Sequence, residues 1–172
     1  MYAIRLRTMY LQLDELLYFI LVWKWGMFVN DDKYAGIRLD NQLCFPLYVC
    51  SKEIVRKYKP FLDELNLTYT QYIAMMVLWE KKEVTVTELG NRLYLDSGTL
   101  TPLLKKLEQK GYVTRKRMES DERNVCISIT AKGDELKEEA VKIPKKIRCC
   151  MTLDDNEAKV LYSILHKVLD NF

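Results

Sequence analysis

Five cysteines and a single histidine are the residues of this 172-residue chain best suited to chemistry beyond packing. Cys44 and Cys50 sit in "LDNQLCFPLYVC", residues 39–50, an apolar stretch whose only charge is Asp40; Cys126 lies in "NVCISI", and Cys149 and Cys150 are adjacent. A thiolate is a nucleophile toward peroxides and disulfides and a soft metal ligand. The odd number of cysteines and the lack of paired CxxC spacing argue against a disulfide framework and against a zinc site. His166 alone supplies neither a metal site nor a nucleophile–base triad. No metal or cofactor is expected, and the thiols fit a reducing cytoplasm. The Cys149–Cys150 pair could take a soft metal or an arsenical, although no convincing further ligand accompanies it.

The elements that must position these thiols are mostly helical. Apolar residues make up 49% of the chain and charged residues 30%, with few Gly and Pro, which describes one helix-rich globular domain and excludes disordered or collagen-like classes. Leu43, Leu47, Cys50, Ile54 and Tyr58 recur at steps of four and three, predicting an amphipathic helix over about 39–59 that Pro60 ends. Cys50 falls on its buried stripe and reads as core. Pro46 removes a backbone donor near the start and could shorten or kink that helix. Thr68 with Gln71, and Thr85 with Glu88, have capping-box spacing ahead of two further helices.

Ser97 to Lys110 carries Leu100, Leu103, Leu104 and Leu107 on one face and a polar face opposite, closed by Gly111. "YVTRKR" and "NVCISI" then flank "MESDER" as a two-stranded hairpin, about 113–129, with a charged tip; Cys126 reads as an incidental exposed thiol. From Thr130 a long helix follows that Pro144 must kink or split, and Thr152 with Asp155 caps a last one, so helical segments span about 130–171. The fold class is mainly α (α+β): a winged helix-turn-helix over 38–172, with N- and C-terminal dimerisation helices. Residues 1–30 stand apart. "LLYFILVWKWGMFV", Leu16 to Val29, is shorter than the ~20 apolar residues that a membrane span needs. An added packing helix, or an upstream extension before a natural start at Met27, are the readings left for it.

Charge is concentrated where such a fold meets DNA. The chain's net charge is only +3, yet six basic residues stand against two acidic ones between Asp96 and Arg117. Phosphate neutralisation needs such clustering. A lysine-rich helix face is by itself usually only solvated, but here positioning helix, polar-faced helix and basic hairpin come in the right order. Ser97, Thr99, Thr101, Lys105 and Lys106 on the helix, and Arg115 and Arg117 on the hairpin, are the candidate DNA contacts. The first turn, "DSGTLT", is expected to offer hydroxyls and free N–H groups to phosphates, and Arg123 at the tip to enter a minor groove.

"GNRLYLDSGTLTPLLKKLEQKGYVTRKRMESDERNVCISIT" resembles the winged-helix core of MarR-type repressors, with Asp121 and Arg123 matching the wing signature and Asp121 supporting the wing. "LDNQLCFPLY" followed by "YKPFLDELNLTYTQY" resembles the organic-hydroperoxide-sensing OhrR-like branch. The resemblance implies that Cys44 is the peroxide-reactive cysteine and that Tyr58 and Tyr69 hydrogen-bond its sulfur from the partner subunit. It also implies that Cys149, with Cys150 beside it, is the resolving thiol of the two-cysteine kind. Phenol donors and a helix N-terminus favour a thiolate, a peroxide oxidises it to a sulfenic acid, and a second thiol closes a disulfide. Leu43, Phe45 and Leu47 would favour organic hydroperoxides over hydrogen peroxide.

The resulting expectation is a homodimeric, redox-sensing repressor on double-stranded operator DNA with an inverted repeat, induced by organic hydroperoxides and not an enzyme. The alternatives are a MarR-type regulator answering a small ligand or soft metal, and a thiol peroxidase using Cys44. The latter has no use for a basic wing.

Overall fold

The structure is a computed structural model that describes residues 33–118 and 121–172, with the side chains of 118 and 121–124 outside the description. The atypical segment 1–30, and the side chains of Asp121 and Arg123, therefore lie outside the described residues. The chain divides into two compact units, Met1–Lys52 and Glu53–Phe172.

In the first unit, two short 3-10 turns, Ala35–Ile37 and Leu39–Asn41, precede helix α1, Cys44–Glu64. The helix starts later than its apolar stripe predicts because Leu39 to Asn41 close a tighter turn, with the Gln42 N–H bonded to the Leu39 carbonyl. Asn41 Nδ2 donates to the Ala35 carbonyl at 2.8 Å and holds the two turns together. Pro46 falls in the first helical turn, where backbone N–H groups have no intrahelical acceptor, so it removes no helix hydrogen bond. Leu43, Leu47 and Cys50 are exposed, which corrects the reading of Cys50 as core.

In the second unit α1 continues through Pro60 to Glu64 instead of ending before it. The ring leaves one carbonyl without its helical donor, a penalty of about 3 kcal/mol in an unsupported helix, and burial of Leu62 to 2% exposure offsets it. Helix α2, Tyr69–Lys81, begins with a complete capping box in which Thr68 and Gln71 satisfy each other's backbone N–H. At its far end Lys82 takes φ +65°, costly for a residue with a Cβ. Its carbonyl accepts the Ile129 N–H and its Nζ bridges Asp134 at 2.7 Å.

Strand β1, Glu83–Thr85, leads into α3, Val86–Leu93, and then α4, Ser97–Gln109. Thr85 caps α3 through the Glu88 N–H only, half of the expected box. A Cβ on Gly90 would lie 2.8 Å from the Leu95 carbonyl oxygen in the turn between α3 and α4, and 3.1 Å from Leu100 Cδ1 of α4, so the turn and the second helix pack closely on the first. Gly111, at φ +75°, turns the chain out of α4 into β2, Val113–Met118, which returns as β3, Asp121–Ile129. The sheet order is β1-β3-β2, all antiparallel. The hairpin was legible in the sequence, but β1 was not, since three residues are too few to show alternation.

The predicted long helix after Thr130 arrives as three pieces, α5 Ala131–Glu135, α6 Lys137–Ala140 and α7 Ile143–Arg148. Leu136, Val141 and Lys142 keep right-handed helical dihedrals at the breaks, so the path continues in direction. Pro144, which cannot donate to a preceding turn, sits in the first turn of α7. Helix α8, Asp155–Leu169, is capped by Asp154 with Glu157 and not by Thr152 with Asp155. The core joins Leu62, Met75, Leu78, Leu89, Leu100, Leu104, Leu107 and Ile127, with Ala140, Ile143 and Ile147 closing it from the C-terminal side. No residue of α8 is buried.

Candidate nucleic-acid interface and thiol sites

Helix α4 buries Leu100, Leu103, Leu104 and Leu107 and leaves Ser97, Thr99, Thr101, Lys105 and Lys106 exposed. Its first turn is not open to phosphates in the way the sequence predicts. The Asp96 carboxylate caps it, accepting from the Thr99 N–H at 2.9 Å and the Thr99 hydroxyl at 3.0 Å. The Thr101 hydroxyl donates to the Ser97 carbonyl at 2.7 Å. The two bonds from Thr99 hold the Asp96 carboxyl below its ordinary range, so an anion sits at the mouth of the helix. Ser97, Lys105 and Lys106 keep their polar atoms outward. Lys110, counted in the basic cluster, instead reaches back to the Asn66 carbonyl and to Gln71 Oε1, at 3.0 Å from the latter. Burial and the nearby Lys106 lower its pKa. It ties α4 to the start of α2 and is structural.

Register divides the hairpin into two faces. Arg115 pairs across the ladder with Ile127 and Arg117 with Val125, so both arginines share the face that carries the core residues. Arg115 Nε binds Glu108 Oε2 of α4 at 2.8 Å and is half-buried, while Arg117, farther out, is exposed. Lys116 pairs with Cys126 on the opposite face, where Glu83 accepts from the Ser128 hydroxyl at 2.6 Å. There the Cys126 thiol is half-buried, not simply exposed, and directs its Sγ at the Val84 carbonyl. Burial and the neighbouring Glu83 carboxylate push its pKa up.

The remaining candidates divide between the two units. In the first, Cys44 is the first residue of α1 and exposed. In the second, the rings of Tyr58 and Tyr69 meet edge to face with centroids 5.0 Å apart. Tyr72, one turn beyond Tyr69 and missed by the sequence reading, completes an aromatic cluster 5.9 Å from Tyr58. Its signal was available in the three-residue helical spacing from Tyr69. Burial, then the neighbouring phenols, raises the pKa of Tyr58 and of Tyr72, which keeps these hydroxyls protonated. Cys149 and Cys150 follow α7, both exposed. Among the described residues no group of three or more His, Cys, Asp or Glu side chains could hold a metal ion.

Other proteins resemble this chain in sequence and in fold. The organic hydroperoxide resistance transcriptional regulator of Bacillus subtilis is 50% identical over 140 residues, which is 81% of this chain and 95% of that protein. The chain belongs to the MarR family of transcriptional regulators, in its OhrR-like branch. The model of the SarA/Rot transcriptional regulators matches residues 56–140 of this regulator. Reduced AbfR bound to DNA, AbfR being a Staphylococcus epidermidis protein, is similar with a TM-score of 0.67 and 37% identity, covering 81% of the regulator and 97% of that chain. Disulfide-formed AbfR matches with a TM-score of 0.56 and 36% identity, over 81% and 94% of the two chains. Among the described residues of the regulator no helix is long and apolar enough to cross a membrane.

Proposed function

We propose that the regulator is a homodimeric repressor that holds an inverted-repeat operator until an organic hydroperoxide oxidises Cys44. The Cys44 thiolate attacks the distal peroxide oxygen, giving a sulfenic acid and an alkoxide that leaves as the alcohol. A Cys149 or Cys150 thiol of the other subunit then displaces water and closes an intersubunit disulfide. The observation that carries this reading is the Tyr58–Tyr69 pair, two phenols 5.0 Å apart by ring centroid. Phenol hydroxyls are donors suited to a thiolate from a partner subunit, and burial keeps that of Tyr58 protonated. The DNA-bound and disulfide-formed states of AbfR support the same cycle by analogy.

In this reading α4 is the reading helix and the β2–β3 hairpin the wing, supported by Asp121 and tipped by Arg123. Ser97, Thr99, Thr101, Lys105, Lys106, Arg115 and Arg117 supply the contacts along the DNA, with Thr99 giving up its bond to Asp96 on binding. The N-terminal part of α1 and the α8 stripe pair with the second subunit, and drawing Cys44 toward a resolving thiol moves the wings apart. The peroxidase alternative would give sustained turnover with a reductant. The deciding experiment is a gel shift on operator DNA before and after cumene hydroperoxide, with Cys44→Ser alongside. Wild type should release DNA and the variant should not; equal responses would end the proposal.

A further inference from the structure

Cys149 and Cys150 leave the end of α7 as an exposed pair. A trans peptide holds neighbouring Cα atoms about 3.8 Å apart, short of the roughly 4.4–6.8 Å over which disulfides usually form. The pair therefore resists closing on itself and persists as a dithiol. Consecutive helical positions point about 100° apart, and Cys150 continues the stripe of the buried Ile143 and Ile147. Its Sγ donates to the Lys146 carbonyl at 3.5 Å. It also lines a cavity of about 120 Å³ with Glu53, Ile54, Lys57, Ile147 and Met151. One thiol thus borders a recess whose apolar wall is Ile54, Ile147 and Met151, while its neighbour in sequence is exposed to solvent.

A soft metal ion asks for three or more converging ligands, and among the described residues no such group exists. Trivalent arsenic that already carries one carbon substituent needs only two more bonds. We propose that Cys149 and Cys150 chelate monosubstituted organoarsenicals in the trivalent state, with the organic group seated in the cavity beside Ile54, Ile147 and Met151. An arsenic oxide R–As=O and two thiols give R–As(S–Cys)₂ and one water. Both S–H bonds and the As–O bonds break, two As–S bonds form, the protons leave on the oxygen, and no atom changes oxidation state. Apolar burial of the substituent favours an organic over an inorganic arsenical. Binding needs no oxidation of Cys44, so the site stands or falls apart from the redox cycle.

The test uses the full, reduced chain without peroxide, titrated with phenylarsine oxide and, in parallel, with arsenite. Native mass spectrometry should show one phenylarsine per chain with two thiols lost to a chromogenic disulfide, and peptide mapping should place it on Cys149 and Cys150. Arsenite should bind at least about tenfold more weakly. Cys149→Ser and Cys150→Ser should each lose about a hundredfold, the advantage of closing the second bond within one chain. Cys44→Ser, Cys50→Ser and Cys126→Ser should bind as wild type. Arsenic mapped to other cysteines, tight binding retained in either single variant of the pair, or equal affinity for the two probes overturns the proposal.

Discussion

The indole N–H of Trp79 donates to the Gly133 carbonyl at 2.9 Å across a buried gap, joining α2 to the start of the C-terminal helical path. Around this bond the packing has no slack: a Cβ on Gly133 would lie 2.1 Å from the Tyr112 carbonyl oxygen. The Thr130 hydroxyl caps α5 at the Gly133 N–H and itself donates to the Gly111 carbonyl at 2.7 Å. The base of the wing, the end of α4 and the C-terminal path thus share one junction.

Trp79→Phe, which leaves the Gly133 carbonyl without its donor, should lower unfolding free energy by about 1–3 kcal/mol. Gly133→Ala should cost more, about 3 kcal/mol or above, because backbone must move to admit the methyl group. Urea denaturation of both variants measures this, and a Gly133→Ala protein as stable as wild type would contradict the geometry.

The lysines of α4 should separate into two kinds. Lys105→Ala and Lys106→Ala should each lower the slope of log affinity against log salt by about one ion on operator DNA. Lys110→Met should leave that slope unchanged and reduce thermal stability, since its ammonium is bound to Asn66 and Gln71. A salt titration of DNA binding, paired with a melting curve, distinguishes them.

Acid sensitivity should trace in part to the α4 cap. The Asp96 carboxyl has its folded-state pKa lowered from the ordinary 3.8 by the Thr99 N–H and hydroxyl. Its contribution to stability is therefore present above the unfolded value and is lost as pH falls from there through the lower folded value. Asp96→Asn should flatten the decline of stability below about pH 4 and change little at neutrality, where asparagine still caps.

Helix α8 should report the dimer. Leu161, Ile164, Leu165 and Val168 are 42%, 54%, 37% and 42% exposed in a single chain, a stripe at helical spacing with no cover among the described residues. Leu161→Glu with Leu165→Glu should convert a dimer to a monomer in sedimentation velocity and abolish operator binding, while the Trp79 environment, read by fluorescence, stays native.

How much of this could be read from sequence depended on the range of the interaction. The Thr68–Gln71 cap and the leucine face of α4 follow from local spacing and appear as predicted. The break of the C-terminal path, the cap at Asp154 and the passage of α1 through Pro60 follow from packing or from competition between adjacent capping residues, which local patterns do not encode. In the candidate site, Lys105, Lys106 and Arg117 are exposed. Lys110 and Arg115 belong to the basic cluster between Asp96 and Arg117, yet each meets a partner distant along the chain or on another element. Charge counting cannot see such pairings. The exposure of Cys50 has the same origin, because an apolar stripe announces a need for cover without saying which chain provides it.

Lys82 concentrates several of these constraints in one residue. Its φ of +65° would suit glycine, yet its ammonium holds Asp134 and its carbonyl anchors Ile129. Glycine there would relax the backbone and sever the tether; alanine would keep the strain and lose the tether as well. With the β1–β3 ladder and the Trp79–Gly133 bond, Lys82 thus acts as a sprung hinge pin between α2 and the hairpin, and under the proposed function a change at this surface position should retune how the hairpin meets DNA without touching any residue that faces it.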